Sequence, residues 1–584
     1  MKNTLNRKSS SAIFEQKLFF VTIFFSLLFA VVAYRLVDLH LLKNEVLTAK
    51  SDKQYFRTVS IQSYRGTIYD RNRNILAINL KCQSLYAVPY EIEDPKASAK
   101  KLASALNMTT AEGIKLLSHF ESTYKFRWIK RKMKPEDVEV VKALKIKGLH
   151  FAKETKRFYP KRDLAASVIG FVGIDNQGLY GVENQLDDLL QGEKRNIRLM
   201  TDAKGRSVEV NHQQSLERPG YLEGAEVTLT IEPSIQYRAE KSLEDMVLET
   251  SAKTGMAIVM DVETGEILAS AEYPRFNPNK INSQDRNSWG SNAAGYAFEP
   301  GSILKPIAIA AGINEKLIDP ETIINCENGR YRVSRMLIRE AMNHRYGNLS
   351  VRDVLAHSSN IGTIKIASML KGETFYRYLK DFGINNDFDL EIGGENIGLL
   401  APYSKWSDST QVAVSFGQEL STNMFQLAAA YGVIANGGYL LRPTVIKEVQ
   451  ADGEVQPHHR QVLKKVISEE TASTMRTMLK YVVDEGTGKK AAIDGYDIAG
   501  KTGSAQKYDP ITKKYFQGND KMVASFAGFL PAHDPKVVII VAVDEPKTKY
   551  WGGSVAAPVF KDIAQQVINY YGIPSNNPGD QLVL

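Results

Sequence analysis

An apolar run from Leu18 to Tyr34 (LFFVTIFFSLLFAVVAY) carries no charged residue. It stands at the short end of the length that crosses roughly 30 Å of hydrocarbon. Lys17 and Arg35 flank it and can reach outward to lengthen it, so a membrane anchor is expected over residues 18–38. Its amino side holds Lys2, Arg7, Lys8 and Lys17 against Glu15 alone. That bias predicts a cytoplasmic tail of residues 1–17, a single pass through the inner (cytoplasmic) membrane, and a periplasmic or extracytoplasmic remainder. A cleaved signal peptide is the competing reading. Ala30 and Ala33 lack the small-x-small spacing and precede Tyr34 and Arg35, which favours an uncleaved anchor.

Residues 39–221 are mixed and polar, with short alternating runs such as Gly66-Thr67-Ile68-Tyr69-Asp70 and a helical stretch near Ala97 to Leu106. They read as a non-catalytic α+β module. From Glu226 the pattern changes to a strand (VTLTI), an amphipathic helix over Ser234 to Thr250, and strands Ala257 to Asp261 and Glu266 to Ala271 around a Glu263-Thr264-Gly265 turn. Helices are predicted near 302–315, 351–370 and 422–435, and strands at 495–500, 523–529 and 537–543. A closing helix is predicted over Ala557 to Tyr570. Helices gathered between an early hairpin and late strands predict a layered sheet with an inserted helical subdomain over 222–572, followed by a tail at 573–584.

A length of 584 residues exceeds one ordinary core and predicts a multidomain α+β chain. The formal charge of +8 fits nucleic acid, a membrane surface or an anionic polymer equally. The basic, aromatic-interleaved stretch Lys125 to Lys134 (KFRWIKRKMK) sharpens the nucleic-acid option, against the plainer reading of a solvated charged face. The anchor places this stretch outside the cytoplasm, so no nucleic acid is expected. Cys82 and Cys326 exclude a disulfide framework and are too few for a zinc site. No HExxH occurs, and His458-His459 beside Pro457 reads as a surface turn, so neither metal nor cofactor is expected.

A hydroxyl becomes a useful nucleophile when a base lies within hydrogen-bond reach. Ser302-Ile303-Leu304-Lys305 meets that need on a helix, where residues three apart share a face. Pro300-Gly301 just ahead looks like a helix start. Taken singly the pattern is common: Ser98, Ser122 and Ser368 also have Lys three residues on, and Lys-Thr-Gly occurs at Lys253 as well as Lys501. Ser-x-Asn occurs at Ser358-Ser359-Asn360, Ser421-Thr422-Asn423 and Ser575-Asn576-Asn577. Only Ser302, Ser358 and Lys501 combine the order and setting of the Ser-x-x-Lys, Ser-x-Asn, Lys-Thr-Gly signature of penicillin-binding proteins and class A β-lactamases.

With Arg65-Gly66-Thr67-Ile68-Tyr69-Asp70-Arg71, Arg157-Phe158-Tyr159-Pro160, Gly178-Leu179-Tyr180-Gly181-Val182-Glu183 and Phe298-Glu299-Pro300-Gly301-Ser302, the chain resembles class B penicillin-binding proteins, on the division-specific side. The resemblance implies an elongated pedestal or dimerisation-type module at 39–221. It also implies a transpeptidase domain at 222–572, built as a central antiparallel sheet flanked by helices plus an all-helical subdomain. It further implies that Ser302 attacks the penultimate D-Ala carbonyl of a stem peptide, that Lys305 takes its proton, and that Ser358 relays a proton to the leaving amine. Asn360 holds Lys305 and the substrate amide in register, Lys501 and Thr502 bind the terminal carboxylate, and Gly503 admits the backbone. The backbone NH groups of Ser302 and Ser504 form the oxyanion hole. The partners it implies are D-Ala-D-Ala stem peptides, lipid II-derived strands, β-lactams as covalent inhibitors, an FtsW-type glycosyltransferase and other divisome membrane proteins. Asn74, Glu232, Ser504 and the Gln418-Glu419 pair, where a Gly-rich loop is usual, depart from the pattern without removing a catalytic group.

Three other readings compete: an elongation-type transpeptidase, a non-catalytic β-lactam sensor or scaffold, and a nucleotide hydrolase. The last rests on Gly495 to Thr502, a full match to GxxxxGK[ST]. A phosphate loop must open a helix, and Gly503 to Pro510 is a poor helix.

Overall fold

A computed structural model describes residues 5–42, 56–61, 64–192, 195–200, 224–281, 289–333, 336–509, 511–512, 514–516, 518 and 521–576. The expected boundary at 221/222 and the end of the tail lie outside the described residues. The chain forms two compact units, Met1–Ser63 with Glu193–Leu222, and Tyr64–Gly192 with Glu223–Leu584.

In the first unit, helix Leu5–Val37 runs on into a π-helical turn, Asp38–Leu42. Its stretch Phe14–His40, of mean hydropathy 2.2, is long and apolar enough to cross a membrane. Large apolar side chains such as Phe19, Phe24 and Leu27 point outward all round it, the pattern of a helix solvated by lipid. Phe56–Ile61 pairs antiparallel with Arg195–Met200.

The second unit is built on two sheets. In one, the strands run in the order Ile267–Tyr273, Thr254–Asp261, Val537–Asp544, Met522–Leu530, Ala499–Gln506, antiparallel throughout. Ala257 and Val259 face a core shared with helices Pro233–Thr250 and Gly552–Tyr571. Met256, Ile258 and Met260 face the other core, shared with helix Met424–Ala435 and the helical subdomain. With both faces covered, every position of Val537–Val543 is buried, so this strand reads as a continuous apolar run instead of an alternation.

The second sheet runs Glu454–Pro457, Ile446–Ala451, Glu226–Leu229, Ile68–Tyr69, Ile75–Ala87, Arg127–Met133, with Leu149–Phe158 also paired to Ile75–Ala87. It joins Ile68–Tyr69 in parallel to Glu226–Leu229, two segments on opposite sides of residue 221. Helices Pro95–Ala105, Thr110–Phe120 and Pro135–Ala143 cover one face of its outer strands.

The motifs of the amino-terminal module converge on one buried ion cluster. Arg65 Nε and Arg157 Nε donate to the two oxygens of Glu183 at 2.5 and 2.7 Å, and Tyr159 OH donates to the same carboxylate at 3.2 Å. Glu183 is fully buried, so its charge is held there by two guanidinium forks, an arrangement that fixes the three segments to one another.

Candidate active site

Ser302 lies on a tight 3-10 turn, Gly301–Leu304, and Lys305 opens the α-helix Lys305–Asn314. The expected single helix is thus a tight turn followed by a regular one. Side chains three apart eclipse in a 3-10 turn, which keeps Ser302 and Lys305 on one side. Gly301 adopts a left-handed φ of +56°, and its N–H donates to Gly417 O at 3.0 Å. A methyl group on Gly417 would fall 2.2 Å from Gly301 O, so the two glycines lock the turn by direct backbone approach. From the helix behind, buried Tyr431 donates its hydroxyl to Ile303 O at 2.8 Å.

The expected helix over 351–370 is broken into Val351–Ala356 and Asn360–Met369. Ser358 sits in the break with φ +58°. That turn presents two oxygens of Ser358 to the lysine. Lys305 Nζ donates to Ser358 O at 2.6 Å, to Ser358 Oγ at 3.3 Å and to Asn360 Oδ1 at 2.7 Å. Lys305 is fully buried, and desolvation pushes its pKa down to about 7, against the opposing pull of Glu340.

Glu340 belongs to no motif, yet it organises this corner. Its carboxylate accepts from Ser359 Oγ at 2.5 Å, from Asn360 N at 2.7 Å and from Ile361 N at 3.3 Å, so it caps the helix that carries Asn360. It is itself 4% exposed. Glu340→Ala is expected to lose about 2–3 kcal/mol of stability, read by denaturant unfolding, and to slow serine acylation as Asn360 loosens.

Lys501, Thr502, Gly503 and Ser504 lie within strand Ala499–Gln506, several residues beyond the expected strand at 495–500. Lys501 is fully buried, and its Nζ donates to Thr502 O at 2.9 Å. Burial, with Lys305 close by, holds its pKa well below the usual lysine range. Thr502 Oγ1 donates to Thr487 Oγ1 at 2.8 Å, and Ser504 Oγ accepts from Gly552 N, at the start of the long final helix, at 2.9 Å. A Cβ on Gly503 would meet Ile303 Cγ2 at 2.9 Å and Pro300 O at 3.1 Å, so this strand abuts the serine turn. Lys501 and Thr502 are mid-strand, flanked by pairing to Ala527 and Phe526, which removes the helix start a phosphate loop needs.

Glu299 immediately precedes Pro300 and the serine turn. Its Oε1 accepts from Tyr515 OH at 3.0 Å and from Glu419 N at 3.1 Å, and burial pushes its pKa up to about 7. Glu419 has φ +59°, which accounts for the usual glycine in that loop. The residues singled out from the sequence therefore lie in three neighbouring segments: Lys305 of the first hydrogen-bonds Ser358 and Asn360 of the second, and the strand that carries Lys501 to Ser504 abuts the serine turn. Glu340, Thr487, Gly417 and Tyr431 were not singled out, since their roles depend on contacts between distant segments.

A serine three residues ahead of a buried amine, next to a strand carrying a second buried lysine, is an arrangement suited to serine acyl transfer. The chain belongs to the penicillin-binding protein family: residues 255–565 match the penicillin binding protein transpeptidase domain, and residues 60–221 match the penicillin-binding protein dimerisation domain. It is 32% identical to stage V sporulation protein D of Bacillus subtilis, covering 97% of this chain and 87% of that protein. It is 33% identical to the probable peptidoglycan D,D-transpeptidase PenA of Neisseria gonorrhoeae (96% and 93%), and 30% identical to the peptidoglycan D,D-transpeptidase FtsI of Escherichia coli (92% and 89%). Among solved structures it is similar to penicillin-binding protein 3 of Mycobacterium tuberculosis in complex with aztreonam, with TM-score 0.68, 26% identity and coverage of 89% of this chain and 99% of that one.

Proposed function

We propose that this chain is a peptidoglycan D,D-transpeptidase of septal wall synthesis, acting through an acyl-enzyme on Ser302. The observation that carries the reading is Lys305: fully buried, held by Ser358 and Asn360, and depressed to a pKa of about 7. A neutral amine one turn from an alcohol is a competent general base at neutral pH.

In this mechanism Ser302 Oγ attacks the penultimate D-Ala carbonyl while Lys305 takes its proton. The new negative charge is met by the backbone NH groups of Ser302 and Ser504, each such donor being worth roughly 3 kcal/mol. Collapse breaks the C–N bond, and the proton passes from Lys305 through Ser358 to the departing D-Ala amine. An amine from a neighbouring stem peptide then attacks the ester, loses its proton to the same relay, and Ser302 regains its hydrogen. Lys501 and Thr502 grip the terminal carboxylate, whose charge also restores a proton to Lys501. A β-lactam follows the first half of this path, but its leaving amine stays tethered and blocks the second amine.

The division of labour along the chain follows: tail 1–17 in the cytoplasm, anchor 18–38, pedestal 39–221, catalytic domain 222–572 outside the membrane and tail 573–584. One apolar helix among the described residues and a basic amino-terminal flank support this orientation. The anchor and pedestal are the surfaces for an FtsW-type glycosyltransferase and other divisome membrane proteins. The test is cross-linking of lipid II-derived strands by the full chain with its polymerase, followed by muropeptide analysis. Cross-linked dimers are the expected product; trimmed monomers alone would make the protein a carboxypeptidase. Depletion in cells adds the second distinction: filaments for septal work, rounding for elongation.

A further inference from the structure

The hairpin Arg330–Val333 with Met336–Arg339 touches the site above through its main chain: Asn360 Nδ2 donates to Arg339 O at 3.2 Å, while Asn360 Oδ1 holds Lys305. Two hydrogen bonds therefore lead from the buried amine to this hairpin. Its side chains alternate. Tyr331 and Ile338, partners across the pair, pack toward the core, whereas Arg330, Arg332, Leu337 and Arg339 are exposed on the opposite face. Arg330 and Arg339 are direct cross-strand partners, which sets their β-carbons about 4.5–5.5 Å apart. Arg332 follows on the same face. Arg345 stands alongside, since a β-carbon on Gly329 would fall 3.2 Å from Arg345 Cα.

Like charges set directly opposite on paired strands repel, and here no acid relieves them. From Gly329 to Gly347 the sequence holds five arginines against Glu340 alone. Glu340 is buried and engaged with Ser359 and Asn360, Glu327 is held by Lys365 at 2.7 Å, and Glu321 by Arg352 at 3.0 Å. Among the described residues, Arg330, Arg332, Arg339 and Arg345 have no carboxylate partner. The shape of the cluster narrows what can supply one. Strands of four residues span about 13 Å, too short a track for a phosphate polymer, but guanidinium forks so grouped suit one or two carboxylates. The link through Asn360 sets this face beside any peptide that approaches Lys305 and its neighbouring serine, at a separation an extended chain covers in about two or three residues.

We propose that Arg330, Arg332 and Arg339, with Arg345 beside them, bind carboxylates of an acidic donor peptide upstream of its D-Ala-D-Ala end. The identity of that donor as a stem peptide rests on the transpeptidase reading above; the preference for an acidic peptide does not. Such a face selects peptides by the charge of residues that the acyl-transfer chemistry never touches, and it feels amidation of those carboxylates as a loss of affinity.

The test uses the full chain carrying Ser302→Ala, in detergent micelles, so that a peptide is held without being consumed. Two fluorescein-labelled probes are compared by anisotropy: L-Ala-γ-D-Glu-meso-diaminopimelate-D-Ala-D-Ala with its internal carboxylates free, and the same peptide with them amidated. The free acid is expected to bind at least about tenfold more tightly, by a margin that shrinks with added salt. Arg330→Gln and Arg332→Gln are each expected to cut that margin at least about fivefold by weakening the acid and not the amide. Arg330→Gln also removes a cross-strand repulsion, so its melting midpoint is expected to hold or rise at low salt. Equal binding of the two peptides, or a margin that survives Arg330→Gln with Arg332→Gln, overturns the proposal. Displacement of the acidic probe by glycerophosphoglycerol at lower concentration than by unlabelled acidic peptide overturns it too, and gives the face to phospholipid headgroups. Penicillin acylation of the wild-type chain is measured separately. A carboxylate preference without acylation leaves the arginine face standing and removes the transpeptidase reading; acylation without the preference does the reverse.

Discussion

Ser302→Ala is expected to abolish covalent labelling by a fluorescent penicillin, lowering the acylation rate by at least about 10⁴. The size of the effect follows from the site. Lys305 has its hydrogen bonds directed to Ser358 and Asn360, and Lys501 to Thr502, so no neighbour is arranged to replace the missing oxygen as nucleophile. Ser358 is the nearest alternative hydroxyl, but both its oxygens already receive Lys305. Ser302 is only half-buried, so losing its hydroxyl leaves the fold intact and the melting midpoint almost unchanged. Intact-mass spectrometry after a saturating dose of penicillin reads the outcome. A full adduct on the Ser302→Ala protein would mean that another residue is the nucleophile.

The second large effect lies at Lys305. Lys305→Met is expected to slow acylation by about 10²–10⁴, the usual contribution of a positioned base. Lys305→Arg is expected to be equally impaired, because a guanidinium keeps its proton. The wild-type pH dependence has a definite sign. With a folded pKa of about 7 the amine is neutral, and so able to accept the serine proton, above that pH. Acylation therefore rises as pH climbs through about 7, and below it each further unit cuts the neutral fraction about tenfold. Glu299, also near 7, titrates in the same window, so the profile is repeated in Glu299→Gln, which retains an acceptor for Tyr515 and Glu419 without the charge. A rise that survives in Glu299→Gln belongs to Lys305. A rate falling with rising pH in both proteins would contradict the neutral-amine mechanism.

Much of this site was legible because its chemistry is local in sequence. Ser302 and Lys305 are three apart, Ser358 and Asn360 two apart, and Lys501 to Ser504 contiguous, so spacing nominates them and their order along the chain selects them from the other matches. The apolar helix and the hairpin Thr254–Asp261 with Ile267–Tyr273 were equally plain from periodicity. The strand Ala499–Gln506 was displaced in the sequence reading because AGKTGSAQ has little apolar alternation. It is extended because its neighbour Met522–Leu530 pairs with it along its whole length, a tertiary cause that local propensity does not record. The break at 357–359 was invisible for the opposite reason: Val351 to Leu370 is continuously helix-compatible, and the turn is imposed by Lys305 and Glu340 from outside the segment. Glu340 itself, 20 residues ahead of Asn360, carries no signature at all.

The left-handed backbone of Ser358 has a further consequence. A β-carbon in that region costs roughly 1–2 kcal/mol, which glycine avoids and asparagine lessens. Neither offers an alcohol to the lysine beside it. Sequence redesign guided by thermal stability alone would be drawn toward Gly or Asn at this position, and would yield sturdier proteins without the hydroxyl proposed as the proton relay.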